Sequence, residues 1–112
     1  MHQKLKNAFD SEMQQAIAQY QQHKLEDAFY HLERAHILGQ SYTLAHTRTH
    51  WWMLKVGWQQ RSPKEVFGQC SRIVASVIFS KIWVPLGNTG GTNVNPLKPM
   101  PIPKDLQNSL KP

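Results

Sequence analysis

Three histidines and one glutamate carry the densest chemical signal in the chain. His46 and His50 are four residues apart. On a helix that spacing sets both imidazoles on one face, close enough to chelate a single metal ion. Glu33 and His36 form an i, i+3 pair shortly upstream, a pattern that supplies carboxylate and imidazole ligands in helical bundles. A short stretch separates the two pairs, so they can converge. Cys70, the only cysteine, would add a soft thiolate to the set. Imidazole and thiolate suit zinc, copper, nickel or cobalt better than magnesium or calcium. Two other readings stand beside metal binding. The histidines can form a buried polar network, with Cys70 as a small apolar residue. Alternatively, His50 can act as an acid or base that Glu33 orients.

The elements that must position these groups follow from apolar spacing. Helices are expected at about 4–22, 24–38, 42–58 and 63–82. Leu5, Phe9, Met13, Ala16, Ile17 and Tyr20 form the stripe of the first helix, and Leu25, Ala28, Phe29, Leu32 and Ala35 that of the second. On a wheel of about 100° per residue, His36 falls about 40° from Leu32, inside that stripe, with Glu33 on its flank. In the third helix the stripe is centred on His46 and His50, with Met53 and Leu54 beside them. Cys70 is placed on the inner stripe of the fourth. Ser62, Pro63 and Glu65 give that helix a clear start. The β-branched run from Ile73 to Phe79 leaves a strand as the competing reading there. Gly39 is a candidate C-cap for the second helix, and His2, His23 and His31 are expected at the surface.

Composition bounds what these elements can build. At 112 residues one domain is expected, with enough chain to bury a core without disulfides. A single cysteine excludes an intrachain disulfide framework. No apolar run reaches the length of a bilayer span, and no secretory leader is read at Met1–Lys4, so a cytoplasmic protein is expected. Only Glu33 and Glu12 are candidate inward acids, too few for a di-iron carboxylate site. No His-Glu-x2-His motif or nucleophile elbow is present. Six of the seven prolines lie from Pro85 onward. The chain is therefore read as a helical body, 1–83, and an extended Pro/Gly-rich tail, 84–112, that packs on the body.

The formal charge is +6, and seven of the 13 basic residues but two of the seven acidic ones lie beyond residue 60. Those basic residues form no run, so nucleic acid is not expected as a partner. Gly87–Gly91 could cradle an anion but lacks a P-loop lysine. Trp51 and Trp52 cannot face one side of a helix, which makes one of them a candidate contact for the tail or for a protein partner.

The segment from His31 to Gln40, followed by His46, His50 and Met53-Leu54, resembles a family of small bacterial proteins filed as a domain of unknown function. The resemblance continues through Gly68-Gln69, Arg72-Ile73, Pro85 to Gly91 and Met100 to Pro103. It implies a shared compact fold, with the tail part of that fold, and no reaction.

The expected protein is all-α: four helices in antiparallel, tetratricopeptide-like hairpins with an extended tail. The first hairpin matches the small and apolar positions of that repeat at Ala16, Ala28, Leu32 and Ala35 but lacks its signature Trp and Gly. The expected function is non-enzymatic binding of a transition metal for buffering, sensing or delivery, through His36, His46, His50, Glu33 and Cys70. The alternative is a helical-hairpin interaction module, meeting a protein partner or a second copy, in which the histidines are structural.

Overall fold

The computed structural model describes residues 1–79, 89–90 and 99–112, with the side chains of 76–79 left aside. The described residues are all helical, with no strand among them. The helices are α1 (Gln3–Gln21), α2 (Leu25–Gly39), α3 (Thr43–Gln59), α4 (Pro63–Phe79) and α5 (Lys104–Leu110). The β-branched run therefore continues α4 and does not form a strand. No described helix is long and apolar enough to cross a membrane. The anion-cradle reading of Gly87–Gly91 lies outside the described residues, apart from Thr89 and Gly90.

α1 packs on α2, α2 on α3 and α3 on α4, and α5 packs on α1 and α2. The core is the meeting of their stripes. Leu5, Phe9, Met13 and Ala16 face Ala28, Leu32, Ala35 and Leu38, with Met53 and Val56 of α3 completing the cluster. Burying such side chains is worth about 1.5–3 kcal/mol each, so the stripes hold the helices in register around the histidines.

Two of the turns share one construction. After α1, His23 takes a left-handed backbone (φ 60°), and Lys24 N–H donates to the Gln19 carbonyl at 2.9 Å. After α3, Arg61 does the same (φ 55°), and Ser62 N–H donates to the Gly57 carbonyl at 3.0 Å. A left-handed residue with this long backbone bond satisfies the last carbonyls of a helix. Ser62 then caps α4 by accepting from Glu65 N–H at 3.3 Å.

Two expectations need correction. Gly39 is not a left-handed cap: α2 ends on it, and Gln40 beyond it stays helical in φ and ψ. Its role is spatial, since a Cβ there would lie 2.8 Å from Phe9 Cε2 and 2.9 Å from the Ala45 Cβ. The second concerns 104–110, read as extended and found helical. Pro103 takes an extended conformation before the first turn, Asp105 sits in that turn, and no proline or glycine follows until Pro112. Leu106 is buried in the core, with Ile102 and Leu110 packed beside it.

Arg34 ties α5 down. Its Nε donates to Glu12 Oε1 at 2.5 Å, and its outer nitrogens reach the Asp105 carboxylate. Its proton is held more firmly than usual, first by Asp105 and then by Glu12 against the cost of burial. Both Glu12 and Arg34 are largely buried, and His31 Nδ1 lies 3.5 Å from Glu12 Oε1. His31, expected at the surface, therefore sits at the edge of this polar network.

Candidate metal centre

His36 lies on the last full turn of α2, where every residue from Ala35 to Gln40 is buried. A three-residue turn leads into α3, and His46 and His50 follow on its first two turns. Because α2 and α3 pack together, the three rings meet. His36 Nε2 is 3.0 Å from His46 Nε2, and His46 Nε2 is 3.1 Å from His50 Nε2. The ring centroids are 4.7–4.8 Å apart. His36 and His50 are buried, and His46 is partly so.

The protonation of His50 is fixed from outside. Gln69 Nε2 donates to Glu65 Oε1 at 2.7 Å and to the Gly90 carbonyl at 3.1 Å. Its Oε1 therefore accepts from His50 Nδ1–H, at 2.5 Å. The His50 Nε2 lone pair is left pointing into the cluster. A hydrogen bond from the far nitrogen of this kind orients metal-ligating histidines. Nδ1 of His46 is buried without a partner. With one proton per neutral ring, no assignment gives both Nε2···Nε2 approaches a full hydrogen bond.

The electrostatics keep His46 and His50 neutral. Burial lowers the His46 pKa from its ordinary 6.5 to about 4. His50 falls to about 3, by burial first and then by His46, against the bond to Gln69. Neutral imidazole is the form that binds metal. These shifts also fix a pH dependence. Between about pH 6.5 and pH 4 the unfolded chain takes protons that the folded metal-free protein refuses. Stability is therefore full above that window and falls as pH drops through it. The urea midpoint of chelator-treated protein is expected to fall over this range, and to fall less in a His46→Ala/His50→Ala variant. Equal slopes for the two proteins would show that the rings are protonated in the fold.

The structure separates the other two predicted ligands from this cluster. Among the described residues, His36, His46 and His50 alone form a group of metal-capable side chains with their atoms within 4.8 Å of one another. Cys70 is exposed, against the expectation of an inner position. Gln69, its neighbour, is the buried residue. Glu33 is partly buried; burial raises its carboxyl pKa, the nearby Thr89 pulls it back, and Glu65 raises it further. With Glu65, Glu26 and Gln60 it lines a cleft of about 300 Å³.

Gly90 closes the site on the His36 side. It has a left-handed backbone (φ 82°), and a Cβ there would fall 2.5 Å from His36 Cδ2. Its carbonyl accepts from Gln69 and, at 2.7 Å, from Arg72. Burial lowers the Arg72 pKa, against the pull of Glu65. The sequence reading missed both Gln69 and Gly90. Both lie inside stretches that carry the family resemblance, Gly68-Gln69 and Pro85 to Gly91, and those stretches were the available signal.

A family model described as Protein of unknown function (DUF3703) matches residues 3–110. The chain belongs to the DUF3703 family. The match spans all five helices together with Thr89 and Gly90, so the site lies wholly inside the DUF3703 domain. No curated protein and no solved structure matches the chain.

Proposed function

We propose that this DUF3703 protein binds a transition metal ion through Nε2 of His36, His46 and His50. The convergence of the three ring nitrogens, for which no placement of the protons bridges both close approaches, carries the reading. Zinc–nitrogen bonds of about 2.0–2.1 Å give tetrahedral N···N edges of roughly 3.3 Å. The observed 3.0 and 3.1 Å need to open by a few tenths of an ångström, and the third edge, from His36 to His50, lies within 4.8 Å. A trigonal set of imidazoles fits zinc or cobalt(II) better than the square-planar preference of nickel or copper(II). Glu33 and Cys70 are outside the coordination set, and the role is binding, for buffering, sensing or delivery in the cytoplasm.

The test is elemental analysis of untagged protein purified without chelator from cells given mixed metals. Near-stoichiometric metal is expected, lost in a His46→Ala/His50→Ala variant that keeps its helical circular dichroism. His46→Ala alone, at the least buried of the three, guards against a variant that does not fold. Metal content unchanged in both folded variants would end the reading.

A second reading rests on the outer faces of α3 and α4. Leu44 (87%), Trp58 (70%) and Phe67 (76%) are strongly exposed apolar side chains. They favour a protein-interaction module built on tetratricopeptide-like hairpins, in which the histidines are structural. Metal-free protein whose melting temperature ignores zinc and cobalt would select it.

A further inference from the structure

The donor inventory of the chain reaches further than the three nitrogens. All six histidines, all seven acids and the single cysteine lie among the described residues. Residues 80–88 and 91–98 contain no histidine, cysteine, methionine, aspartate or glutamate. The cluster of three is therefore drawn from every strong ligand the chain has. The nearest alternatives are placed elsewhere: Glu33 lines a separate cleft with Glu26, Gln60 and Glu65, the Gln69 oxygen holds His50, and the Gly90 carbonyl accepts from Gln69 and Arg72. Cys70 is at the surface. Met53 belongs to the hydrophobic core, and its thioether suits copper(I), not zinc or cobalt(II).

Zinc and cobalt(II) in protein sites take four ligands, and three protein ligands leave the fourth position to solvent or substrate. We infer that the ion held by His36, His46 and His50 keeps one coordination position that no side chain among the described residues fills, and that a water molecule occupies it and exchanges for small monodentate anions. The inference rests on the metal reading above. Gly90 packs against His36, whereas His46 is the least buried of the three, so the exchangeable ligand enters on the His46 side. The exchange is simple substitution: the anion donates a lone pair to the metal, water leaves, and no electron is transferred. An open position of this kind is where a metal-delivery protein meets the incoming donor of a recipient, and where a bound water becomes acidic enough to act as a nucleophile.

The experiment uses the full chain loaded with cobalt(II), whose visible bands report coordination number and ligand type. One equivalent of cobalt is expected to give the intense bands of a four-coordinate ion, removed by added zinc. Sodium azide should then shift those bands, saturating at one azide per cobalt. Cys70→Ser should leave both spectra unchanged, with no sulfur-to-cobalt charge-transfer band in either protein. Bands that azide cannot move at saturation, or a charge-transfer band lost in Cys70→Ser, would overturn the open position while leaving the metal site standing. Failure of cobalt and zinc to bind at all would instead remove the reading beneath it, and this inference with it.

Discussion

Alanine at Gly90 is expected to dismantle the histidine cluster while most of the helical body survives. A Cβ at this position would lie 2.5 Å from His36 Cδ2 and 2.8 Å from both Cγ and Nε2. The φ of 82° adds a cost of about 1–2 kcal/mol for any L side chain. His36 cannot turn aside freely, because it is buried and packed edge-on against both other imidazoles. Relief therefore comes from moving His36 off the common centre, or from lifting Gly90 and breaking the bonds of its carbonyl to Gln69 and Arg72. Either way the nitrogens lose their geometry. Zinc affinity, measured by competition with a chromophoric chelator, should fall by at least about 10–100-fold, the range seen when groups that orient metal ligands are lost. Unfolding free energy should drop by about 1–3 kcal/mol. A Gly90→Ala/His36→Ala double variant has room for the methyl group, so its loss of stability should be less than the sum of the two single losses. Wild-type zinc affinity in Gly90→Ala would show that the contact does not constrain the cluster.

Removing Arg34 should cost more stability than any other surface-reaching change in the molecule. Glu12 is only 6% exposed, and its carboxylate faces the Arg34 Nε through both oxygens, at 2.5 and 3.3 Å. Arg34→Ala strands that carboxylate in the interface of α1 and α2, with His31 at 3.5 Å as the remaining partner. Breaking a buried pair from one side costs about 3–5 kcal/mol, whereas removing both charges together costs far less. Urea denaturation of Arg34→Ala is expected to show that loss, and Glu12→Gln/Arg34→Met should recover much of it. Asp105→Asn is the informative control. Its side chain is 61% exposed, and exposed pairs contribute about 0–1 kcal/mol. If Asp105→Asn were as damaging as Arg34→Ala, the docking of α5 and not the burial of Glu12 would be the source of the cost.

The histidine cluster was legible because helical periodicity acts on unlike residues in the same way. Leu32 and His36 share a face whatever their chemistry, and so do His46 and His50. Histidines set in the facing apolar stripes of two helices joined by a short turn have few ways to avoid each other. The fourth helix shows where periodicity fails. Between Val66 and Ile73 the inner face passes midway between positions 69 and 70, and either can occupy it. Burial preference chooses cysteine over glutamine, but the protein buries Gln69 and exposes Cys70. The deciding factor is a partner on another helix: His50 Nδ1 needs an acceptor, and only the amide at 69 supplies one. Glu33 is on the flank of α2, and it lines a cleft with Gln60 and Glu65, residues from later in the chain that no local pattern connects to it. The helical turn at 104–110 was hidden by the prolines just before it, which dominate the composition of the segment without entering the helix.

The placement of the three imidazoles also has a consequence in time. They lie between residues 36 and 50, on two helices joined by one turn, so they are brought together by contacts that are short-range in sequence. The groups that orient them come later: Gln69 on α4, then Gly90. Contacts close in sequence form early in folding, and synthesis proceeds from the N-terminus. A growing chain therefore exposes all three nitrogen donors together, before the amide that fixes the proton on His50 and the glycine that closes over His36 have been made.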